Sequence, residues 1–127
     1  MLHWIPALIT AAVLAWLSHQ PVLPPVPGAP PDWLLHGLAY GFLALTCIWG
    51  TTRGLKPELR RRGPLLLAFL LASGYGITDE WHQSFVGRDA TVSDWLADTV
   101  GAGIAALAVL LAWRRRNQTH HTSTTAC

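Results

Sequence analysis

Charge is what this chain has least of. Only 13% of its 127 residues are Asp, Glu, Lys or Arg, about half the usual share in soluble domains, while 51% are hydrophobic. Nine basic and seven acidic residues leave a net charge of +2, too little for a nucleic-acid surface, so no nucleic-acid partner is expected. Cysteine is nearly missing. Cys47 falls inside an apolar run and Cys127 ends the chain, which excludes a disulfide-stapled secreted scaffold. Present instead are four long apolar runs: Leu2 to Leu17, Leu34 to Thr52, Pro64 through Gly76 to Trp81, and Trp95 to Trp113. A membrane-crossing helix needs roughly 20 apolar residues and tolerates about 17. Hiding all four in a soluble core would need more chain than 127 residues supply.

The expected fold class is therefore all-α, a four-helix transmembrane bundle of residues 1–113 with spans near 2–17, 34–52, 64–81 and 95–113. Eight of the nine basic residues fall in two clusters: Arg53, Lys56, Arg60, Arg61 and Arg62 after the second run, and Arg114, Arg115 and Arg116 after the fourth. The excess of basic residues in cytoplasmic loops places both clusters inside, and an even number of spans returns the N-terminus to the same side. Both termini are expected in the cytoplasm of a bacterium, with the chain multi-pass in its inner membrane. Leu2 to Leu17 has no basic residues ahead of it and no small-x-small cleavage pattern at Ser18-His19-Gln20, so it reads as a mature helix, kinkable at Pro6, rather than a signal peptide.

Six prolines between Pro21 and Pro31 forbid helix there and predict an extended outer loop. Asp32 then stands where a helix N-cap is needed, and Asp94 stands similarly before the fourth run. Residues 114–127 are polar and Thr-rich without apolar periodicity, which predicts a disordered cytoplasmic tail.

The acids are the informative residues. Six of seven, namely Asp32, Asp79, Glu80, Asp89, Asp94 and Asp98, lie at the outer ends of these runs, and only Glu58 sits among the arginines. A charge within a membrane costs on the order of 3 kcal/mol unless paired, so such a cluster marks a functional site. Asp32, His36 and Tyr40 recur at four-residue spacing and share one helix face. Asp79 and Gln83 are one turn apart with Glu80 offset by about 100°, above a small-residue seam at Gly76 and Ala72. Asp94 and Asp98 are again one turn apart, above Gly101, Ala105, Ala108 and Ala112. Three helices thus carry acid or imidazole groups to one depth.

Three stretches then match a known pattern in order: Asp32-Trp33-Leu34-Leu35-His36, Asp79-Glu80-Trp81-His82-Gln83-Ser84-Phe85-Val86-Gly87-Arg88, and Asp94-Trp95-Leu96-Ala97-Asp98-Thr99-Val100-Gly101. Together they resemble the VanZ-like family of small integral membrane proteins, which takes its name from a protein linked to teicoplanin resistance. One departure is Trp33, where many members carry a basic residue. The resemblance implies a membrane bundle and a link to the cell envelope, without assigning a reaction.

Two readings of the function follow, with a third beside them. In the first, the pocket binds or acts on a lipid head group or lipid-linked envelope precursor at the outer leaflet. His36, Glu80 and Asp98 would move protons, with Asp32, Tyr40, Asp79, Gln83, Arg88 and Asp94 binding the substrate and Arg88 gripping a phosphate or carboxylate. No nucleophile with an activating neighbour is evident, Ser84 and Thr91 included. In the second, the outer surface is a non-enzymatic shield or partner-binding face built on Trp33, Trp81, Phe85 and Trp95. The third is a divalent-metal-dependent enzyme using His36, Asp79, Glu80 and Asp98. No ligand spacing is diagnostic, so no metal and no cofactor is assigned, and a pocket completed across a dimer stays open.

Overall fold

The computed structural model describes residues 1–20, 27–86 and 91–124. They form four α-helices, α1 (Ile5–Ser18), α2 (Asp32–Thr51), α3 (Arg62–Phe85) and α4 (Val92–Thr124), with short 3-10 turns at Leu2–Trp4 and Pro57–Leu59 and, among the described residues, no strand. Residues 21–26 of the proline segment, Arg88 and Asp89 lie outside the described residues.

Each helix boundary has a local cause. Pro6 sits in the first turn of α1, where its missing N–H has no intrahelical partner to lose, so α1 continues past it instead of kinking. α2 opens immediately after Pro30-Pro31, and the Pro31 carbonyl accepts from the amides of Leu34 and Leu35 at 3.0 and 3.4 Å. Asp32 is consequently inside the first turn and makes no capping hydrogen bond, contrary to the expectation for it. α2 ends where Arg53, Gly54 and Leu55 adopt positive φ of 49°, 78° and 64° and turn the chain into the basic loop. α3 runs four residues beyond Trp81 because nothing between Trp81 and Phe85 breaks a helix.

α4 is helical through Thr124, well past Trp113, so the segment from 114, expected without regular structure, continues the helix over most of its length. Arginine is a good helix former, and no Gly or Pro follows Gly103.

The core is organised around α2, which packs most extensively on α4. Their backbones meet at glycines: a Cβ on Gly37 would lie 3.4 Å from the Ala97 carbonyl oxygen, and one on Gly41 would lie 3.2 Å from that of Gly101. Gly101 faces Gly37 so closely that any side chain there would overlap the Gly37 peptide. Close approach through small residues is how helices associate where hydrophobicity supplies no driving force. Crossing helices touch over a limited stretch. Below the crossing the buried face of α4 is carried by Ala102 and Trp113, while Ala108 and Ala112 are exposed and extend no seam.

The molecule is apolar outside and buries a polar group beside its apolar core. Leu8, Ile9 and Val13 of α1, Leu38, Phe42 and Leu45 of α2, Leu66, Leu70 and Ile77 of α3, and Leu96, Ile104 and Leu107 of α4 are exposed, whereas Asp79, Glu80, Gln83 and Asp98 are buried. Monomeric soluble proteins do not show apolar surface on every element. α2 and residues Val92–Arg116 of α4 are long and apolar enough to cross a membrane. α1 is apolar but shorter, and α3 carries Asp79, Glu80 and Gln83 within its last two turns.

Candidate functional site

The site forms where α2, α3 and α4 come together, near the N-terminal ends of α2 and α4 and the C-terminal end of α3. His36 lies one turn into α2, and its Nδ1 is 2.9 Å from Asp98 Oδ1 on α4. The glycine crossing makes this reach short: Gly37 and Ala97, which touch, are the chain neighbours of the two residues. Asp98 is fully buried and Glu80 is 9% exposed. Gly76 on α3 leaves the space that the Asp98 carboxylate occupies, since a Cβ there would come within 3.0 Å of Asp98 Oδ2 and 3.3 Å of the Trp95 and Tyr40 rings.

Glu80 is tied to the start of α4. Its Oε2 accepts from the Thr91 amide at 2.9 Å, so a carboxylate of α3 sits on the positive end of the α4 dipole. Thr91 caps this terminus: its Oγ1 accepts from the Asp94 amide at 3.2 Å and donates to Asp94 Oδ2 at 2.7 Å. Asp94 is therefore a structural residue of the α4 terminus in this arrangement. Thr91→Val should lower the melting temperature of the purified protein by removing a cap worth about 1 kcal/mol, while leaving the Glu80 contact, which uses the backbone. A thermal melt checks the first expectation, and an unchanged ligand affinity checks the second.

Among the described residues, two oxygens in this cluster have no partner. Glu80 Oε1 and Asp98 Oδ2 are buried without a hydrogen bond, and one donor atom from each of His36, Glu80 and Asp98 lies within 4.8 Å of the others. Two desolvated carboxylates against one imidazole are unstable as a bare set, because an uncompensated buried charge costs several kcal/mol. A proton, a metal cation or a cationic group would compensate this cluster.

A second group adjoins the first. Asp79 Oδ2 accepts from Ser18 Oγ at 2.7 Å, from the Tyr40 hydroxyl at 3.0 Å and from Gln83 Nε2 at 3.2 Å. Tyr40 joins the two groups, its ring lying parallel to that of His36 at 6.5 Å. Asp79 is thus well provided with donors, unlike Glu80 and Asp98, and it holds α1, α2 and α3 together. Asp32 is at the rim, with 69% of its side chain exposed and its Oδ2 3.9 Å from His36 Nε2.

The structure accordingly brings His36, Glu80 and Asp98 into one cluster and Tyr40, Asp79 and Gln83 into another beside it. It leaves Asp32 at the mouth and uses Asp94 as a helix terminus. Two clefts reach these groups. One, of about 370 Å³ between α3 and α4, is walled by Ile77, Trp81, Val92 and Trp95 with Glu80 in its lining. The other, of about 160 Å³, opens between α1 and α2 onto Ser18, Asp32, His36 and Asp79.

Two contributors escaped the sequence reading. Ser18 was signalled only by its place at the outer end of α1, level with the acids. Thr91 acts through its amide, and no side-chain pattern announces that. The Ser73–Thr99 hydroxyl pair at 2.7 Å, with Trp95 Nε1 donating to the Ser73 carbonyl at 3.2 Å, adds a further polar link between α3 and α4.

Residues 32–113 match the family model described as VanZ/LLP1. The match covers well over half of the chain, and the chain belongs to that family. No curated protein and no solved structure matches it. The matched region begins at Asp32 and ends at Trp113, so it takes in all of the site except Ser18.

Proposed function

We propose that this VanZ/LLP1 chain is a multi-pass inner-membrane protein whose acid–imidazole cluster, open toward the outer leaflet, binds the head group of a lipid or lipid-linked envelope precursor. The observation that carries the reading is the pair of buried oxygens Glu80 Oε1 and Asp98 Oδ2, without a partner among the described residues, beside His36, with Glu80 also lining an apolar cleft between helices. A soluble ligand would have no use for a cleft walled by Ile77, Trp81, Val92 and Trp95. An amphiphile would, with its chain along those side chains and its polar end at Glu80.

In this reading four helices cross the membrane with both termini in the cytoplasm. The basic loop of Arg53, Lys56 and Arg60 to Arg62, together with Arg114 to Arg116, marks the inner face, opposite the acids. A reporter fused after Arg116 should remain cytoplasmic, as judged by protease protection in spheroplasts; its export would contradict the orientation. Arg88 would meet the anionic part of the head group, and Asp32, Tyr40, Asp79 and Gln83 would shape the polar end of the pocket. His36, held by Asp98 through Nδ1, presents Nε2 toward the Asp32 mouth, where it can take or deliver a proton. Sequestering or altering a lipid-linked precursor would connect the protein to teicoplanin tolerance.

Native mass spectrometry of the detergent-solubilised protein tests the reading. The wild type should retain one head-group class well above its share of the membrane, and Asp98→Asn should lose that enrichment. Equal retention by both would refute it.

A further inference from the structure

We propose that His36, Glu80 and Asp98 form the binding site of one divalent cation. Carboxylates gathered in one place are commonly satisfied by solvent or by each other, and here they are not. Asp98 is fully buried and Glu80 nearly so. Each keeps one oxygen with no hydrogen-bond partner, Asp98 Oδ2 and Glu80 Oε1, while Asp98 Oδ1 and Glu80 Oε2 are already held by His36 and the Thr91 amide. Among the described residues, His36 is the basic partner in the ion pairs of this cluster. A cation satisfies both free oxygens at once.

The geometry suits it. One donor atom from each of the three residues lies within 4.8 Å of the others. At roughly 2.1 Å per metal–ligand bond, opposite ligands of one ion stand about 4.2 Å apart, so a small inward movement of these side chains closes the site. Two carboxylates and one imidazole are a mixed oxygen and nitrogen set suited to Mn²⁺ or Zn²⁺. His36 would coordinate through Nδ1, exchanging its hydrogen bond to Asp98 Oδ1 for an ion placed between the two side chains, and keep its proton on Nε2. Asp32 Oδ2, 3.9 Å from Nε2, would have to move closer to accept that proton and orient the metal-bound imidazole.

Asp32, His36 and Asp94 form a second grouping of the same kind. It is the weaker one, because Asp32 is exposed and Asp94 is engaged by Thr91.

The cation site stands on this geometry alone, and what it serves rests on the head-group reading above. An acidic pocket repels a phosphate. A divalent ion offsets the two carboxylate charges of Glu80 and Asp98 and takes phosphate oxygens as further ligands, leaving the apolar cleft for the lipid chain.

The test uses the full chain in detergent, without an affinity tag of histidines, with His120→Ala and His121→Ala to remove two adjacent imidazoles and His82→Ala to break up the His19–His82 pair, whose ring nitrogens are 3.3 Å apart. After equilibration with Mn²⁺ and separation from free ion, elemental analysis should give about one Mn²⁺ per chain. Asp98→Asn and Glu80→Gln should each weaken binding at least tenfold while keeping the circular dichroism and elution volume of the parent. Pulsed electron paramagnetic resonance of the bound Mn²⁺ should show coupling to an imidazole nitrogen, lost in His36→Gln. Mn²⁺ binding that is equally strong in folded Asp98→Asn and Glu80→Gln, or nitrogen coupling that survives His36→Gln, overturns the proposal. Should Asp98→Asn fail to fold, Glu80→Gln and the resonance spectrum decide. Head-group enrichment measured with and without EDTA separates the two readings. Enrichment with no bound metal overturns the cation site and leaves the head-group reading intact, whereas one Mn²⁺ per chain without enrichment supports the cation site and removes that reading.

Discussion

Gly101→Ala is expected to eliminate the folded protein. In a helix this substitution ordinarily stabilises by about 1 kcal/mol, since alanine has the higher helix propensity. Here the added methyl would lie 2.6 Å from the Gly37 carbonyl carbon and 2.7 Å from its Cα. These are backbone atoms, and they cannot turn aside as a flexible side chain would. α2 and α4 must separate, and with them go the His36–Asp98 hydrogen bond and the packing of Tyr40 and Ala102. Overpacking of a core typically costs about 1 to 3 kcal/mol and more where backbone must move, so the clash outweighs the gain in propensity. Membrane abundance measured by immunoblot should fall at least tenfold. Gly103→Ala, on the same helix with only a Phe69 ring atom 3.7 Å from the new methyl, should leave it nearly unchanged. That contrast separates a specific backbone contact from a general intolerance of α4 to substitution.

Glu80→Gln should have the opposite profile, with abundance close to wild type and binding reduced at least a hundredfold. Glutamine keeps the shape of the side chain, and its amide oxygen can still accept from the Thr91 amide as Glu80 Oε2 does. What it lacks is the charge and the second acceptor, the oxygen that is buried without a partner. If the carboxylate served only to hold α3 on the end of α4, glutamine would cost a little stability and leave ligand affinity unaltered. Head-group enrichment per milligram of membrane protein, measured beside the amount of protein recovered, distinguishes the two. Asp79→Asn is a useful companion: its Oδ2 collects hydrogen bonds from Ser18, Tyr40 and Gln83, so that substitution should act mainly through abundance.

Much of this arrangement was legible from the sequence, for an identifiable reason. Helices were readable because the apolar runs are long, and the proximity of His36, Glu80 and Asp98 was readable because each sits near an end of such a run. The family match over residues 32–113 agrees with the ordered motif of Asp32 to His36, Asp79 to Arg88 and Asp94 to Gly101. Three things were hidden. Partition of the acids into a satisfied Asp79 and an unsatisfied Glu80 and Asp98 depends on Ser18 and the Thr91 amide, which come from other elements. The rotation of Asp32 out of the capping position depends on one residue of helix register at Pro31. The failure of the Ala108 and Ala112 seam depends on where α2 leaves α4, which a stripe of small residues on a single helix does not encode.

The central claim is that the cluster, of which Glu80 lines the cleft between α3 and α4, holds a lipid head group. Photo-crosslinking in the membrane tests it most directly, with a diazirine-bearing amino acid placed at Ile77, in the wall of that cleft, and in a second protein at Ile104, exposed elsewhere on α4. The account predicts that the Ile77 probe captures one head-group class far above its bulk proportion and that Glu80→Gln abolishes the excess, while the Ile104 probe captures lipids in bulk proportion. Identical lipid profiles at both positions, unaffected by Glu80→Gln, would contradict it.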